Sequence, residues 1–125
     1  MRKPEFIRID NQIVTYLDFS ELKKKEEVLD QIKIYADYIK KQHYNSLITV
    51  TNLEGMYFNT EVYNVFTEYV KQNNPHVKQS AVIGLKGLMQ IFYKGFVKIT
   101  GRNVLVCNTK NEALNELTSQ VALSY

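Results

Sequence analysis

The sequence predicts a single α/β domain: a five-stranded, mostly parallel mixed sheet with four helices, in the order ββαβαβαβα. Short β-branched runs alternate with segments of helical periodicity, which is typical of parallel strands joined by helices. A tight-turn signal, Asp10-Asn11, separates the first two runs, so the first strand is expected to pair antiparallel with the second. A length of 125 residues, with 45% hydrophobic and 23% charged residues, suits one globular domain.

The first half of the chain predicts two strands, a long helix and a third strand. Residues 6–9 and 13–17 form the predicted hairpin, and the apolar and β-branched run at residues 47–50 forms the third strand. Ser20 is a residue type that caps helices, so it is expected to begin the first helix, which ends near residues 42–43. The stripe of that helix expected to face the core is Leu22, Leu29, Ile32, Ala36 and Ile39.

The next segment predicts a second helix followed by a fourth strand at residues 81–83. Asn59 or Thr60 is expected to cap this helix, since both residue types accept a hydrogen bond from the first turn. Asn73-Asn74-Pro75 ends it, because proline cannot continue a helix. The residues expected to face the core are Val62, Phe66 and Tyr69.

The last segment predicts two helices on either side of a fifth strand. The third helix covers about residues 87–100 and is closed by Gly101, a residue type that favours the left-handed conformation found there. The fifth strand covers residues 104–107. Thr109 and Glu112 have the spacing of a capping box for the last helix, whose core-facing residues are expected to be Leu114 and Leu117.

Threonines interrupt the apolar pattern of the strands. Thr15 stands between Ile13 and Leu17, and Thr49 and Thr51 alternate with apolar neighbours. A sheet buried equally on both faces usually has continuous apolar strands. The alternation therefore predicts that one face of the sheet is less thickly covered than the other.

Five segments of the chain carry a resemblance to a known fold: residues 18–20, 46–51, 58–61, 74–88 and 109–114. Over these segments the chain resembles a SpoIIAA-like domain, the fold shared by STAS domains and bacterial anti-sigma-factor antagonists. Within that fold it is most similar to small stand-alone bacterial STAS-like proteins, which are distantly similar to CRAL-TRIO lipid-binding domains. The resemblance implies one STAS-like domain over residues 1–125 and a regulatory role.

The resemblance also marks Thr60 as a candidate phosphoryl acceptor. Phospho-regulated STAS domains carry an Asp-Ser pair at the start of the second helix, where this chain has Asn59 and Thr60. The threonine hydroxyl could accept a phosphoryl group, but the adjacent Glu61 would repel the added charge. Simple helix capping by Asn59 or Thr60 is the alternative, and we favour it.

No motif in the sequence indicates catalysis or metal binding. His43, His76 and Cys107 lie far apart without ligand spacing, and no Ser or Cys carries the signature of an activated nucleophile. We therefore expect no enzyme activity, no cofactor and no metal. Cys107 is expected to be a small buried hydrophobe, and a single cysteine favours a reducing, cytoplasmic location.

Charge argues against a nucleic-acid partner. The net charge is only +3, and its densest run, Lys23-Lys24-Lys25, is followed at once by Glu26-Glu27. That pattern is typical of a solvated helix face, whereas nucleic-acid domains concentrate basic charge in one patch.

A polar group is expected at the carboxyl ends of the parallel strands, where ligands of open α/β sheets bind. The group has few strong charges, so it suits a polar headgroup or a peptide better than a cluster of phosphates. Its members are Asn52, Glu54, Asn59, Thr60, Lys86, Asn108 and Thr109.

The third helix has more apolar surface than one sheet face requires. A polar stripe contains Lys86, Gln90, Lys94 and Lys98, and the face expected to pack on the sheet contains Leu88, Ile91, Phe92, Phe96 and Ile99. An additional apolar row consists of Met89, Tyr93 and Val97. Another helix of the domain, a partner subunit, or a bilayer attracted by Lys94 and Lys98 could cover that row. Gly95 in mid-helix indicates either a close approach of the backbone to the sheet or a hinge.

These observations predict a non-enzymatic STAS-like regulatory or interaction domain that works with a protein partner or as a homodimer. The alternative is a small lipid- or apolar-ligand-binding protein that associates with membranes. In that alternative the third helix gates a pocket beneath it.

Overall fold

The computed structural model describes residues 1–101 and 104–123, apart from the side chains of residues 88, 91, 96, 99, 100 and 119–123. The predicted order of strands and helices is confirmed. A short 3-10 helix, Asn74–His76, follows the second α-helix. The elements are β1 Glu5–Ile9, β2 Gln12–Asp18, α1 Lys25–Ile39, β3 Leu47–Asn52, α2 Thr60–Asn73, β4 Val77–Ile83, α3 Leu88–Thr100, β5 Leu105–Cys107 and α4 Lys110–Leu123.

The five strands lie in the sheet in the same order as in the chain. β1 pairs antiparallel with β2 through a two-residue turn in which Ile9 faces Gln12, and Asp10 takes a positive φ of 54°. The other neighbouring pairs are parallel. The predicted mixed sheet with an N-terminal hairpin is therefore confirmed.

The sheet separates two hydrophobic clusters. On one face, strand residues such as Leu17 and Val82 pack against α1, α2 and α3. On the other face, Val14 and Val50 pack against Ala113 and Leu117 of α4. Each right-handed crossover moves the chain one strand in the same direction, so the three crossover helices lie on the same face.

The threonines face the side with three helices. Thr15 and Thr49 alternate with the residues that contact α4, and they are only 2% and 4% exposed. The sheet is covered unevenly, as expected, but the more thinly covered face is the apolar one under α4. The threonines therefore form a polar floor beneath the three helices. They do not mark the face with the thinner covering.

Ser20 does not cap α1, contrary to expectation. Its backbone N–H donates to the Asp18 carboxylate at 2.9 Å, and the following Glu21 takes a positive φ of 60°. This turn delays the helix, which begins at Lys25 and ends at Ile39. Leu22 thus lies before the helix, although it is buried as predicted.

The other capping predictions are largely confirmed. The Asn59 side chain accepts from the Val62 N–H at 2.8 Å and begins α2. Thr109 accepts from the Glu112 N–H at 3.1 Å, but the Glu112 carboxylate accepts from the Asn108 N–H, one residue earlier than a capping box requires. β3 and β4 are longer than predicted, and β5 is one residue shorter.

The loops at the carboxyl ends of the strands are tied together through their backbones. The N–H of Glu21 donates to the Glu54 carbonyl at 2.8 Å, and the N–H of Leu53 donates to the Ile83 carbonyl at 2.8 Å. Gly84 takes a φ of 85°, and a Cβ at that position would lie 2.6 Å from the Glu54 backbone nitrogen. Glycine is therefore required by close packing as well as by conformation.

Replacing the α2 cap should destabilise the domain measurably. Asn59→Ala leaves the Val62 N–H without its partner, so we expect a loss of about 1 kcal/mol in the free energy of urea unfolding. Asn64→Ala, the same change at an exposed position inside α2, is the matched control and should be neutral or slightly stabilising. Equal losses for the two variants would contradict the capping role.

Gly84→Ala should lower the free energy of unfolding more than the same substitution at Gly101 does. Both glycines have positive φ, which costs an alanine about 1–2 kcal/mol, but a Cβ at Gly101 meets no atom within 4 Å. The collision with the Glu54 backbone should therefore add to the loss only at position 84. Urea unfolding of the two variants measures the difference, and equal losses would show that the loops move apart freely.

Candidate functional site

A cavity of about 110 Å³ lies between α2, α3 and the sheet. Thr49, Thr51 and Ser80 are on its floor, and Met89 and Phe92 of α3 are on the opposite side. The cavity is partly open at its edge. A volume of about 15 Å³ accommodates one water molecule, so this space is large enough for a small organic group.

The described lining residues carry no charged side chain. Most are aliphatic or aromatic. The aromatic ones, which supply rigid apolar surface, are Phe58, Tyr63, Phe66, Tyr69, Phe92 and Tyr93. The ring of Phe92 lies 4.7 Å from that of Tyr63 and 5.5 Å from that of Phe58, so these contacts join α3 to the rest of the wall. The arrangement favours an apolar, uncharged occupant.

Two hydroxyl groups of the lining residues lack hydrogen-bond partners. The hydroxyls of Tyr69 and Ser80 are shielded from solvent, and no atom of the described residues bonds to them. Asn73 lies near the Tyr69 hydroxyl and would lower its pKa, but the two groups do not meet in hydrogen-bond geometry. Burial is the larger effect and raises the pKa of Tyr69, so its phenol stays protonated and can donate.

The additional apolar row of α3 is covered largely by the chain itself. Met89 is only 8% exposed and belongs to the core cluster, and Tyr93 lines the cavity. The Tyr93 hydroxyl donates to the Val104 carbonyl at 3.0 Å. Val97 is half-buried, so only Lys94 and Lys98 of this group are exposed.

Cover by the same domain was the first of the three alternatives for that row. Met89 is therefore unavailable for the interface or membrane face that the sequence suggested. Phe92 packs inward as predicted. The side chains of the other residues expected on the sheet-facing side, Leu88, Ile91, Phe96 and Ile99, lie outside the described set.

Gly95 allows α2 and α3 to approach closely. A Cβ at position 95 would lie 3.0 Å from the Tyr63 hydroxyl oxygen. The mid-helix glycine is thus explained by a close contact, but with a side chain of α2 and not with the sheet, as the sequence hypothesis had it.

The polar residues at the carboxyl ends of the strands serve mainly local structure. Asn52 donates to the Tyr16 hydroxyl at 2.8 Å and accepts from the Glu54 N–H at 2.9 Å. The Glu54 carboxylate pairs with Lys86 at 2.9 Å. These bonds occupy the side chains that were expected to meet a ligand.

The remaining members of that polar group are caps or exposed positions. Asn59 caps α2, and Asn108 and Thr109 lie at the start of α4, which packs on the opposite face. Thr60 is exposed at the first residue of α2, so Asn59 is the cap and the Thr60 hydroxyl is accessible. Its neighbour Glu61 pairs with Lys25 at 3.2 Å.

The titratable residues do not converge on a metal centre. Within residues 1–101 and 104–123, no group of three or more His, Cys, Asp or Glu side chains could hold a metal ion. Cys107 is buried, as predicted, and burial raises the pKa of its thiol, which leaves little reactive thiolate.

Comparison with protein-family models finds no match, and no curated protein matches the chain. The resemblance to STAS-like domains therefore stays a prediction. Over the part of the chain that is described, no helix is both long and apolar enough to cross a membrane.

The sequence pattern held a signal for the cavity that was not recognised. Thr49, Thr51 and Ser80 are short polar residues on one face of adjacent strands, since Thr49 and Ser80 are register partners. Short side chains opposite aromatic ones leave space, and the aromatic residues of α2 were already predicted to face inward. Combining the two observations requires the strand register, which one sequence does not provide.

A double-mutant cycle should show that contact with the Tyr63 hydroxyl is what disfavours a larger residue at position 95. Gly95→Ala should gain helix propensity but push the Tyr63 hydroxyl away, so the net change is expected to be small or destabilising. With Tyr63→Phe, the same alanine should stabilise by about 1 kcal/mol. Urea unfolding of the four proteins measures the coupling, and additive effects would contradict the proposed contact.

Proposed function

We propose that this domain is a non-enzymatic binding protein for a small apolar ligand held between α2, α3 and the sheet. The observation that carries the proposal is the cavity of about 110 Å³, whose described lining has no charged side chain. An apolar cavity of about 150 Å³ in another protein binds benzene. The present cavity is smaller but partly open at its edge, so one ring or a short acyl segment would extend toward the opening. A ligand there gains contact with aromatic surface that water cannot match.

The position of α3 supports an entry route beneath it. This helix begins after Gly87, with a φ of 59°, and ends at Gly101, with a φ of 68°. Among the described residues, no atom lies within 4 Å of a Cβ built at either glycine, so these residues do not crowd the two ends of the helix. Between those ends, Phe92 holds the helix against Tyr63 and Phe58. Breaking these ring contacts is the step that admits the ligand.

A regulatory role, which the resemblance implies, would follow from the same movement. Lys94 and Lys98 are exposed on the outer side of α3, whereas Met89, Phe92 and Tyr93 line the cavity. A ligand that displaces the inner row also displaces the two lysines. A partner protein that contacts them would then distinguish the occupied state from the free one.

Benzene should bind to the domain and stabilise it. With a dissociation constant on the order of 1 mM, 10 mM benzene adds about 1.4 kcal/mol, which raises the midpoint of thermal unfolding by about 5 °C. Val70→Phe fills the cavity from α2 and should abolish the increase. Val65→Phe, the same substitution at an exposed position of that helix, is the control and should retain it.

Nuclear magnetic resonance localises the binding independently of stability. Benzene should shift the methyl signals of Val70, Val82 and Met89, which line the cavity, and leave those of Val14 under α4 unchanged. An unchanged melting midpoint together with unchanged methyl signals would overturn the proposed function.

A further inference from the structure

We propose that the ligand of this cavity carries one neutral hydrogen-bonding group, a carbonyl or hydroxyl, that is bound by Tyr69 and Ser80. The inference rests on the proposed function and specifies the chemical class of its ligand. It excludes a pure hydrocarbon as the preferred ligand, and it excludes carboxylates, phosphates and amines.

The first support is the pair of hydroxyls without partners. Tyr69 is 5% exposed, and its hydroxyl and that of Ser80 have no hydrogen-bond partner among the described residues. Buried polar groups in folded proteins are almost always paired, because an unpaired one loses its hydration without compensation. Two such groups on residues that line one cavity indicate a polar partner that arrives with the occupant. Because neither hydroxyl presents accessible surface to the cavity in this structure, lining side chains must shift to bring that partner within bonding distance.

The second support is the origin of the two residues. Tyr69 belongs to the α2 wall and Ser80 to the β4 floor, so the two unpaired hydroxyls belong to two sides of a space lined mostly by apolar side chains. Turning the Ser80 side chain about its Cα–Cβ bond redirects its hydroxyl, while the Tyr69 ring is held by Phe19 and Phe66. A fixed donor and an adjustable hydroxyl suit a single oxygen-bearing group.

The third support is the lack of charge in the described lining. It contains no Lys, Arg or His that could pair with an anion, and no Asp or Glu that could pair with a cation. Moving an isolated ionised group into such a space is far more costly than moving a neutral carbonyl. The ligand's polar group is therefore neutral.

Three ligands of nearly the same shape test the proposal: acetophenone, α-methylstyrene and benzoate. They place a carbonyl oxygen, a methylene or a carboxylate at the same position beside one ring. Their dissociation constants are measured by nuclear magnetic resonance titration of the full chain. We expect wild-type protein to bind acetophenone and α-methylstyrene but not benzoate at the same concentrations.

Two variants then identify the hydrogen bonds. Tyr69→Phe should weaken acetophenone binding on the order of tenfold and leave α-methylstyrene binding unchanged. Ser80→Ala should act in the same direction. For each ligand, the dissociation constant of the variant is divided by that of wild type. Comparing these two ratios cancels the different affinities of the ligands for water. Ser80→Ala should not unfold more easily than wild type, because its hydroxyl has no partner among the described residues, and Tyr69→Phe should lose only the weak interaction with the nearby Asn73.

Tyr35→Phe is the matched control. Its hydroxyl bonds to the Asp18 backbone, away from the cavity, so the variant should lose stability but keep both affinities. Equal weakening of both ligands by Tyr69→Phe, or tight binding of benzoate, would overturn the inference while leaving the proposed function intact. Failure of both neutral ligands to bind would overturn the inference, and failure of benzene as well would overturn the proposed function with it.

Discussion

Crossovers between neighbouring parallel strands determine the face of the sheet on which α1, α2 and α3 lie. The strands follow one another across the sheet in chain order, so each crossover advances in the same direction. The helices α1, α2 and α3 are consequently placed on one face. The last helix makes no crossover, and it covers the opposite face through Ala113 and Leu117. This asymmetry fixes which strand residues lie beneath three helices and which lie beneath one.

The cavity follows from how unevenly those three helices fill their face. Between α1 and α2, Phe19 packs against Tyr35 at 5.2 Å and Phe66 at 5.3 Å, which closes that part of the core. Between α2 and α3 the floor includes short polar side chains, Thr49, Thr51 and Ser80, beside the apolar Val82. Gly95 brings the helices together at one point, where it meets Tyr63, but a glycine supplies no volume of its own.

Local patterns predicted the elements well because each depends on a few adjacent residues. The Asp10-Asn11 turn, the Asn59 cap and the Gly101 terminus are of this kind. The misplaced start of α1 came from competition: Asp18 accepts from the Ser20 N–H, and this bond stabilises a turn where a helix cap was expected. The Thr109 side chain caps α4 as predicted. The Glu112 carboxylate, however, accepts a hydrogen bond from the N–H of Asn108, one residue before the predicted donor.

The candidate site was less predictable because it depends on residues distant in sequence. Ligands of open α/β sheets usually bind at the carboxyl ends of the strands, where Asn52 and Lys86 lie. In the folded chain, however, Asn52 bonds to Tyr16 and Lys86 pairs with Glu54. The additional apolar row on α3 correctly indicated a surface that needs covering, and its residue Met89 lines the cavity inside the domain. Periodicity identifies a surface that needs covering, whereas only tertiary packing determines what covers it.

Stability provides the last argument that the cavity has a purpose. Unfilled volume costs about 24 cal/mol per Å³, so 110 Å³ corresponds to about 3 kcal/mol. The unpaired hydroxyls of Tyr69 and Ser80 add a further cost on the order of 1 kcal/mol each. Larger apolar side chains at Thr49 and Ser80 on the floor would fill part of this volume and remove the unpaired Ser80 hydroxyl. Conflicts between local packing and global stability concentrate at functional sites, and here the space and both unpaired groups occur in one lining. A ligand that fills the cavity and bonds to its hydroxyls resolves both costs at once.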